Sequence, residues 1–154
     1  MEKYTHELIE NVNNNLQNIY LEENDIFIKA SHAVNLFKIK NEIKELMDKQ
    51  FQDHMFIHPH SPIIESNLST NLTDGDNKLL FLNIESNYVD ILVFGNNNLQ
   101  LCNTFTIKSS NDFIYFTIFV FEQMKLDVAN VSVIVSGQHP NFDEMLNHLR
   151  RLTN

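Results

Sequence analysis

Between residues 78 and 107 three strongly apolar segments follow one another with almost nothing between them. KLLFLNIE begins at Lys78, YVDILVF runs from Tyr88 to Phe94, and the third extends from Leu99 to Ile107. Ser86-Asn87 separates the first two, and GNNN, whose Gly95 and asparagines tolerate positive φ, separates the next two. Leu101, Asn103, Phe105 and Ile107 alternate with polar residues on the third. Short turns leave no room for a crossover, so the pattern predicts an antiparallel meander. Ser109-Ser110 then predicts the cap of a helix over 111–126, apolar nearly all round and hence expected to be buried on most faces. VSVIVSG (131–137) reads as a further strand. Asn141 and Glu144 resemble a capping box, and Phe142, Met145, Leu146, Leu149 and Leu152 form a helical stripe behind them. The order is β-β-β-α-β-α.

The first half of the chain is weaker in pattern. Leu8, Ile9, Val12, Leu16 and Ile19 predict an exposed amphipathic helix within 1–24. Segments 26–30 and 34–39 read as short strands, and 41–51 as a helix with Ile43, Leu46, Met47 and Phe51 on one face. A strand is expected at 54–58 (HMFIH), then a short helix with Ser61 as N-cap and Pro62 as first helical residue. The turn-rich stretch 70–77 is the expected boundary. The division predicted is a polar helix over 1–24, a small α/β unit over 25–70 and a βββαβα unit over 78–154.

At 154 residues the chain fits one medium domain or two small ones and can bury a core without disulfides or metals. Its 3 glycines, Gly75, Gly95 and Gly137, are isolated, so neither G-x-G-x-x-G nor a P-loop can be assembled. Cys102 is the single cysteine; it excludes an internal disulfide and a multi-cysteine zinc site, and reads as a small core residue in a reducing, cytoplasmic setting rather than a catalytic thiolate. A formal net charge of −9 disfavours nucleic acid and anionic membrane as partners. Arg150-Arg151 suit the C-terminal end of a helix. The polar N-terminus lacks a signal core, and the longest apolar stretch, Phe113 to Phe121, is too short for a membrane span.

The β-β-β-α-β-α order is the repeating unit of ribonuclease H-like and actin-like domains. HPHSPIIES (58–66), LLFLNIESNYVDILVF (79–94) and SSNDFIYFTIFVFEQMKLD (109–127) resemble an uncharacterised bacterial family, a domain of unknown function with an actin-like ATPase fold. The resemblance covers about residues 30–154. It implies an α/β fold with a mixed sheet, preceded by a small incomplete α/β unit, because members look longer at the N-terminus. In actin-like ATPases a hairpin of strand, Asp, glycines, Thr, then Asp and strand holds a phosphate. The resemblance lays the first acidic position on Asn83, the glycines on Glu85, Ser86 and Asn87, the second acid on Asp90, and the adenosine-contacting turn on Val135-Ser136-Gly137. Cβ atoms obstruct close approach of amides to phosphate, and Glu85 adds repelling charge. Asn83 cannot hold a metal-bound water as a carboxylate does. The groove formed by Asn83, Ser86, Asn87, Asp90 and Gly137 is therefore expected to be degenerate.

Three other readings compete. His54, His58 and His60, at spacings of four and two, would share one face of a strand and present three imidazoles to a metal; the alternative is a polar strand end before a helix cap. Asn83, Glu85, Asp90 and Asp112 would make a nuclease-type carboxylate cluster, but the first-strand position is an amide, and Asp90 reads better as a turn or strand-surface acid. Phe113, Phe116, Phe119 and Phe121 read as core rather than a cofactor groove. The expected function is a non-catalytic actin-like scaffold or interaction module without a cofactor, using a protein partner or self-association; the alternatives are an ATP/Mg-dependent actin-like ATPase and a histidine metal site.

Overall fold

The computed structural model describes residues 19–22, 35–68 and 77–153. The chain divides into two compact units, Met1–Glu65 and Ser66–Asn154.

In the first unit β1 (Ile19–Glu22) pairs antiparallel with β2 (Asn35–Lys38), Ile19 opposite Lys38. The helix expected over 1–24 is thus corrected at its end, where residues 19–22 find a strand partner; residues 1–18 and the strand expected at 26–30 lie outside the described residues. Helix α1 (Asn41–Gln50) follows, with Glu42 in its first turn, Lys49 in its last and a Lys44–Asp48 pair of 2.5 Å one turn apart. It buries no residue: its apolar stripe stays open, with Leu46 58% exposed. The strand expected at 54–58 is instead irregular chain. A strand needs a neighbour for its amides, and here His54 folds back onto the end of α1 instead. Helix α2 (His60–Leu68) begins one residue before the expected cap, so Ser61 is helical and its amide donates to His58 O at 2.9 Å. Pro62 still falls in the first turn, where a missing N–H costs nothing.

The second unit is the βββαβα body. Strands β3 (Lys78–Ile84), β4 (Tyr88–Gly95) and β5 (Asn98–Thr106) form the meander, and β6 (Val131–Gly137) joins β3 in parallel, giving the order β5-β4-β3-β6. The sheet is mixed because helix α3 (Ser110–Gln123) carries the chain across from β5 to β6, and α4 (Phe142–Leu152) follows. One face of the sheet supplies Leu80, Leu82, Ile84, Val89, Ile91 and Val93 to a core with Phe113, Val120 and Phe121 of α3 and Met145 and Leu149 of α4.

Two sequence expectations fail here for physical reasons. Helix α3 is apolar all round but buried on one side only: Tyr115 is 63% exposed, Ile118 and Phe119 are exposed as well, and Phe116 is half-buried. Composition does not say how many layers cover a helix. The capping box of α4 does not form, because Asn141 makes no side-chain cap bond and Glu144 Oε2 accepts from Ser110 Oγ at 3.0 Å, tying α4 to α3. The cap on α3 does form: Ser109 Oγ accepts from Asp112 N at 3.2 Å.

Candidate functional site

The strands bring four polar side chains into one row. Asn83 of β3 stands opposite Asp90 of β4 on one side and Ser136 of β6 on the other, and Asp90 stands opposite Thr104 of β5. Hydrogen bonds follow this register across the sheet. Ser136 Oγ donates to Asn83 Oδ1 at 3.0 Å, Asn83 Nδ2 donates to Asp90 Oδ2 at 3.2 Å, and Thr104 Oγ1 donates to Asp90 Oδ1 at 2.6 Å. Alternation along each strand puts the row on the face away from the α3–α4 core.

Asp90 corrects the expectation of a surface acid: it is 4% exposed. A carboxylate in so apolar a strand needs donors, and the two neighbouring strands provide them. Asp90 and Glu85 together raise the Tyr88 phenol, after the larger effect of desolvation. Cys102, on the same side of β5, corrects the expectation of a core cysteine, since the residue is exposed. Crowding around its thiol, and then the Asp90 carboxylate, push it up to about 11. At neutral pH it is a protonated thiol and a poor nucleophile.

The remaining groove residues lie at the same end of the sheet. Glu85, Ser86 and Asn87 make the β3–β4 bend; Glu85 N donates to Tyr88 O at 2.9 Å, and Asn87 O accepts from Ile107 N at 2.9 Å. None of the three has a positive φ. Gly137 does, at φ 112, because it ends β6 against Ile84, where a Cβ would lie 2.0 Å from Ile84 O. Its successor Gln138 donates its amide to that oxygen at 2.8 Å. The structure thus gathers Asn83, Asp90, Ser86, Asn87 and Gly137 at one end of the sheet; it adds Thr104, which sequence reasoning had not given a role, and makes Ser136, read there only as part of the adenosine-contacting turn, a partner of Asn83. The signal for those partners was Asp90 itself, a lone acid inside an apolar strand.

Asp112 does not join a carboxylate cluster. Its Oδ2 accepts from Lys108 N at 2.8 Å, and this bond, ahead of the Ser109 contacts, lowers its pKa. The three histidines divide. His54 Nε2 lies 3.1 Å from Asp48 Oδ1 and its Nδ1 lies 3.0 Å from Phe51 O. His58 and His60 meet edge-on with ring centroids 4.8 Å apart, and His58 Nδ1 accepts from His60 N at 3.2 Å. Among the described residues no three His, Cys, Asp or Glu side chains are grouped to hold a metal ion, and no helix is long and apolar enough to cross a membrane.

Comparison with curated proteins gives no match. Among solved structures the chain is similar to a Bacteroides thetaiotaomicron protein described as having an actin-like ATPase fold and unknown function, with a TM-score of 0.76 and 20% identity. The likeness covers 98% of this chain and 58% of that one. It establishes the fold: an α/β, actin-like arrangement whose βββαβα unit carries the mixed sheet described above. Residues 2–154 match the family described as "Protein of unknown function (DUF3822)", and the chain belongs to that family.

Proposed function

We propose that this chain is a non-catalytic actin-like scaffold or protein-interaction module whose phosphate hairpin is degenerate. The observation that carries the reading is the state of Asn83. Where the resemblance puts an acid of the phosphate hairpin, an amide stands with both ends engaged, Oδ1 by Ser136 and Nδ2 by Asp90. An amide so placed carries no charge, and its oxygen already holds Ser136 across the strands, so it is a poorer anchor for a metal-bound water than a carboxylate. The residues here do not fit a magnesium triphosphate: the bend carries Glu85 where negative charge would sit, and its Cβ atoms stand where close amide approach is needed. One first-turn amide of α3 at the same end of the sheet, that of Asp112, is taken by Ser109. The single, high-pKa thiol of Cys102 suits a reducing, cytoplasmic compartment.

The test is thermal unfolding with millimolar ATP and magnesium, alongside an assay for released phosphate. The expected result is no shift and no phosphate. A ligand at a hundred times its Kd would stabilise the fold by about 2.7 kcal/mol. A shift of that size, lost in Asp90→Ala while the variant stays folded, would establish the ATPase alternative instead.

A further inference from the structure

Helix α1 carries an apolar stripe that lies open among the described residues. Ile43, Leu46, Met47 and Phe51 recur at helical spacing, yet Ile43, Leu46 and Phe51 are exposed and Met47 is only half-buried. A helix of 10 residues that buries no side chain is marginal in water, because few hydrogen bonds repay its nucleation. The register of the strands before it shows which part of the chain stands beside it. Strand β1 pairs antiparallel with β2, and its first residue, Ile19, faces Lys38, the last of β2. The chain before Ile19 and the chain after Lys38 therefore leave the pair at the same end. Helix α1 begins there, at Asn41. Residues 1–18, which lie outside the described residues, run into that same end at Ile19. Their sequence matches the stripe. Leu8, Ile9, Val12 and Leu16 fall within about a third of the helical circle at about 100° per residue, with Glu7 and Glu10 on the opposite side. The same count along α1 puts Glu45 and Asp48 opposite its stripe. Leu8 to Leu16 and Ile43 to Phe51 are also equal in length, each about 12 Å of helix.

We propose that residues 8–16 fold as a helix antiparallel to α1 and close its apolar stripe, an intramolecular cover supplied by the chain's own N-terminal segment. Direction follows from the register: residues 1–18 run toward the shared end of the β1–β2 pair, and α1 runs away from it. Leu16 then meets Ile43 near the strands, Val12 meets Leu46 and Met47, and Leu8 meets Phe51 at the far end. Glu7 and Glu10 stay in water on one side of the helix pair, Glu45 and Asp48 on the other, so the seam between them is uncharged. Proximity selects this occupant. A second copy or a foreign helix must reach the face from solution, whereas this segment is tethered a few residues from it, at the high effective concentration of a short link. While the cover is in place the α1 stripe is closed to other partners. The inference does not rest on the scaffold reading above: ATP binding would overturn that reading and leave this one standing.

The experiment is disulfide trapping in the full chain, with Cys102→Ser to remove the native thiol. Val12→Cys combined with Leu46→Cys should close under mild oxidation into a species that keeps the single-chain mass of 18.0 kDa and runs faster on a non-reducing gel. Val12→Cys combined with Glu45→Cys, on the side of α1 away from the seam, should close at least about tenfold more slowly. Hydrogen exchange of the α1 amides is the second readout. Leu8→Asp with Val12→Asp should lower their protection at least about tenfold while the β3–β4 amides keep theirs, which separates loss of the cover from loss of the fold. No closure through Leu46→Cys, closure through Glu45→Cys just as fast, a disulfide between two chains instead of within one, or α1 protection unchanged by the two aspartates would overturn the proposal.

Discussion

The four-stranded sheet reverses its chain direction at both ends, by different means. At the β4–β5 end the turn residues Asn96 and Asn97 are both left-handed, with φ of 53 and 55. At the β3–β4 end the bend through Glu85, Ser86 and Asn87 uses no left-handed residue, and the one strained position is Gly137 on the neighbouring strand. The first end is an ordinary tight hairpin in which asparagine tolerates the conformation that matches strand twist. The second is where the actin-like resemblance sets a glycine-rich phosphate bend. Its backbone conformation needs no glycine, and its neighbouring polar side chains bond one another. The bend is self-consistent without glycines, and the glycine that this end of the sheet does require is Gly137 on β6.

The sharpest way to break that comparison is Gly137→Ala. The added Cβ meets backbone, Ile84 O at 2.0 Å and Ile84 N at 2.6 Å, in a conformation with φ of 112. Neither atom moves without opening the β3–β6 ladder. The expected loss is about 3 kcal/mol or more, which for a unit of this size lowers Tm by more than about 12 °C. Calorimetry checks it; a change under about 1 kcal/mol would mean that β6 ends more loosely than its register shows.

Asp90→Ala comes next. It removes the acceptor for both Asn83 Nδ2 and Thr104 Oγ1 and leaves a cavity beside the half-buried Asn83. A loss of about 2–3 kcal/mol is expected in urea unfolding, with Asp90→Asn falling between it and the parent because it keeps one acceptor. If the two variants were equally stable with the parent, the row would be decorative, and the contrast between the two ends would lose its polar half.

A kinetic prediction follows from the desolvation of the Cys102 thiol and, second, from the same carboxylate. With its pKa raised to about 11, the Cys102 thiol should alkylate with iodoacetamide about tenfold more slowly at pH 7.5 than an unperturbed thiol, because a thiolate fraction about a hundredfold smaller is partly offset by the greater nucleophilicity of a more basic thiolate. The sign is that of a group whose neutral form the fold favours, so reactivity should climb as pH rises toward 11. Asp90→Asn should recover only part of the difference, since desolvation is the larger cause.

How much of this was legible in the sequence follows from the range of each interaction. The meander was legible because its turns are two or three residues long and its strands are strongly apolar. Ser109 as a cap was legible because a cap is a contact over three residues. The partner of Asn83 was not, because Ser136 lies 53 residues away and reaches it only through the parallel β3–β6 register. Asp90 was misjudged for a related reason: a lone acid in an apolar run is either a surface residue or a satisfied buried one, and only the flanking strands decide which. The open face of α3 was hidden by its composition, since Phe119 and Phe121 are the same residue type, one exposed and one 7% exposed. At 54–58 alternation suggested a strand, but a strand exists only beside another, and His54 instead bonds back to Asp48 and Phe51.

The smallest effect tests the comparison most directly, by making one substitution at both ends. Asn96→Ala removes a residue type that tolerates the left-handed conformation, and alanine at φ 53 should cost about 1 kcal/mol. Asn87→Ala changes an exposed residue of ordinary φ and should stay within about 0.5 kcal/mol of the parent. Glycine separates backbone from side chain. Asn96→Gly should be close to neutral, whereas Asn87→Gly should lose about 0.5–1 kcal/mol, because it adds freedom to the unfolded chain where the fold has no use for it. Four urea titrations read the pattern. If Asn87→Gly stabilised the protein and Asn87→Ala destabilised it, the β3–β4 bend would be holding a left-handed residue after all. It would then be a glycine-type loop in disguise, and a phosphate would again have amides to approach.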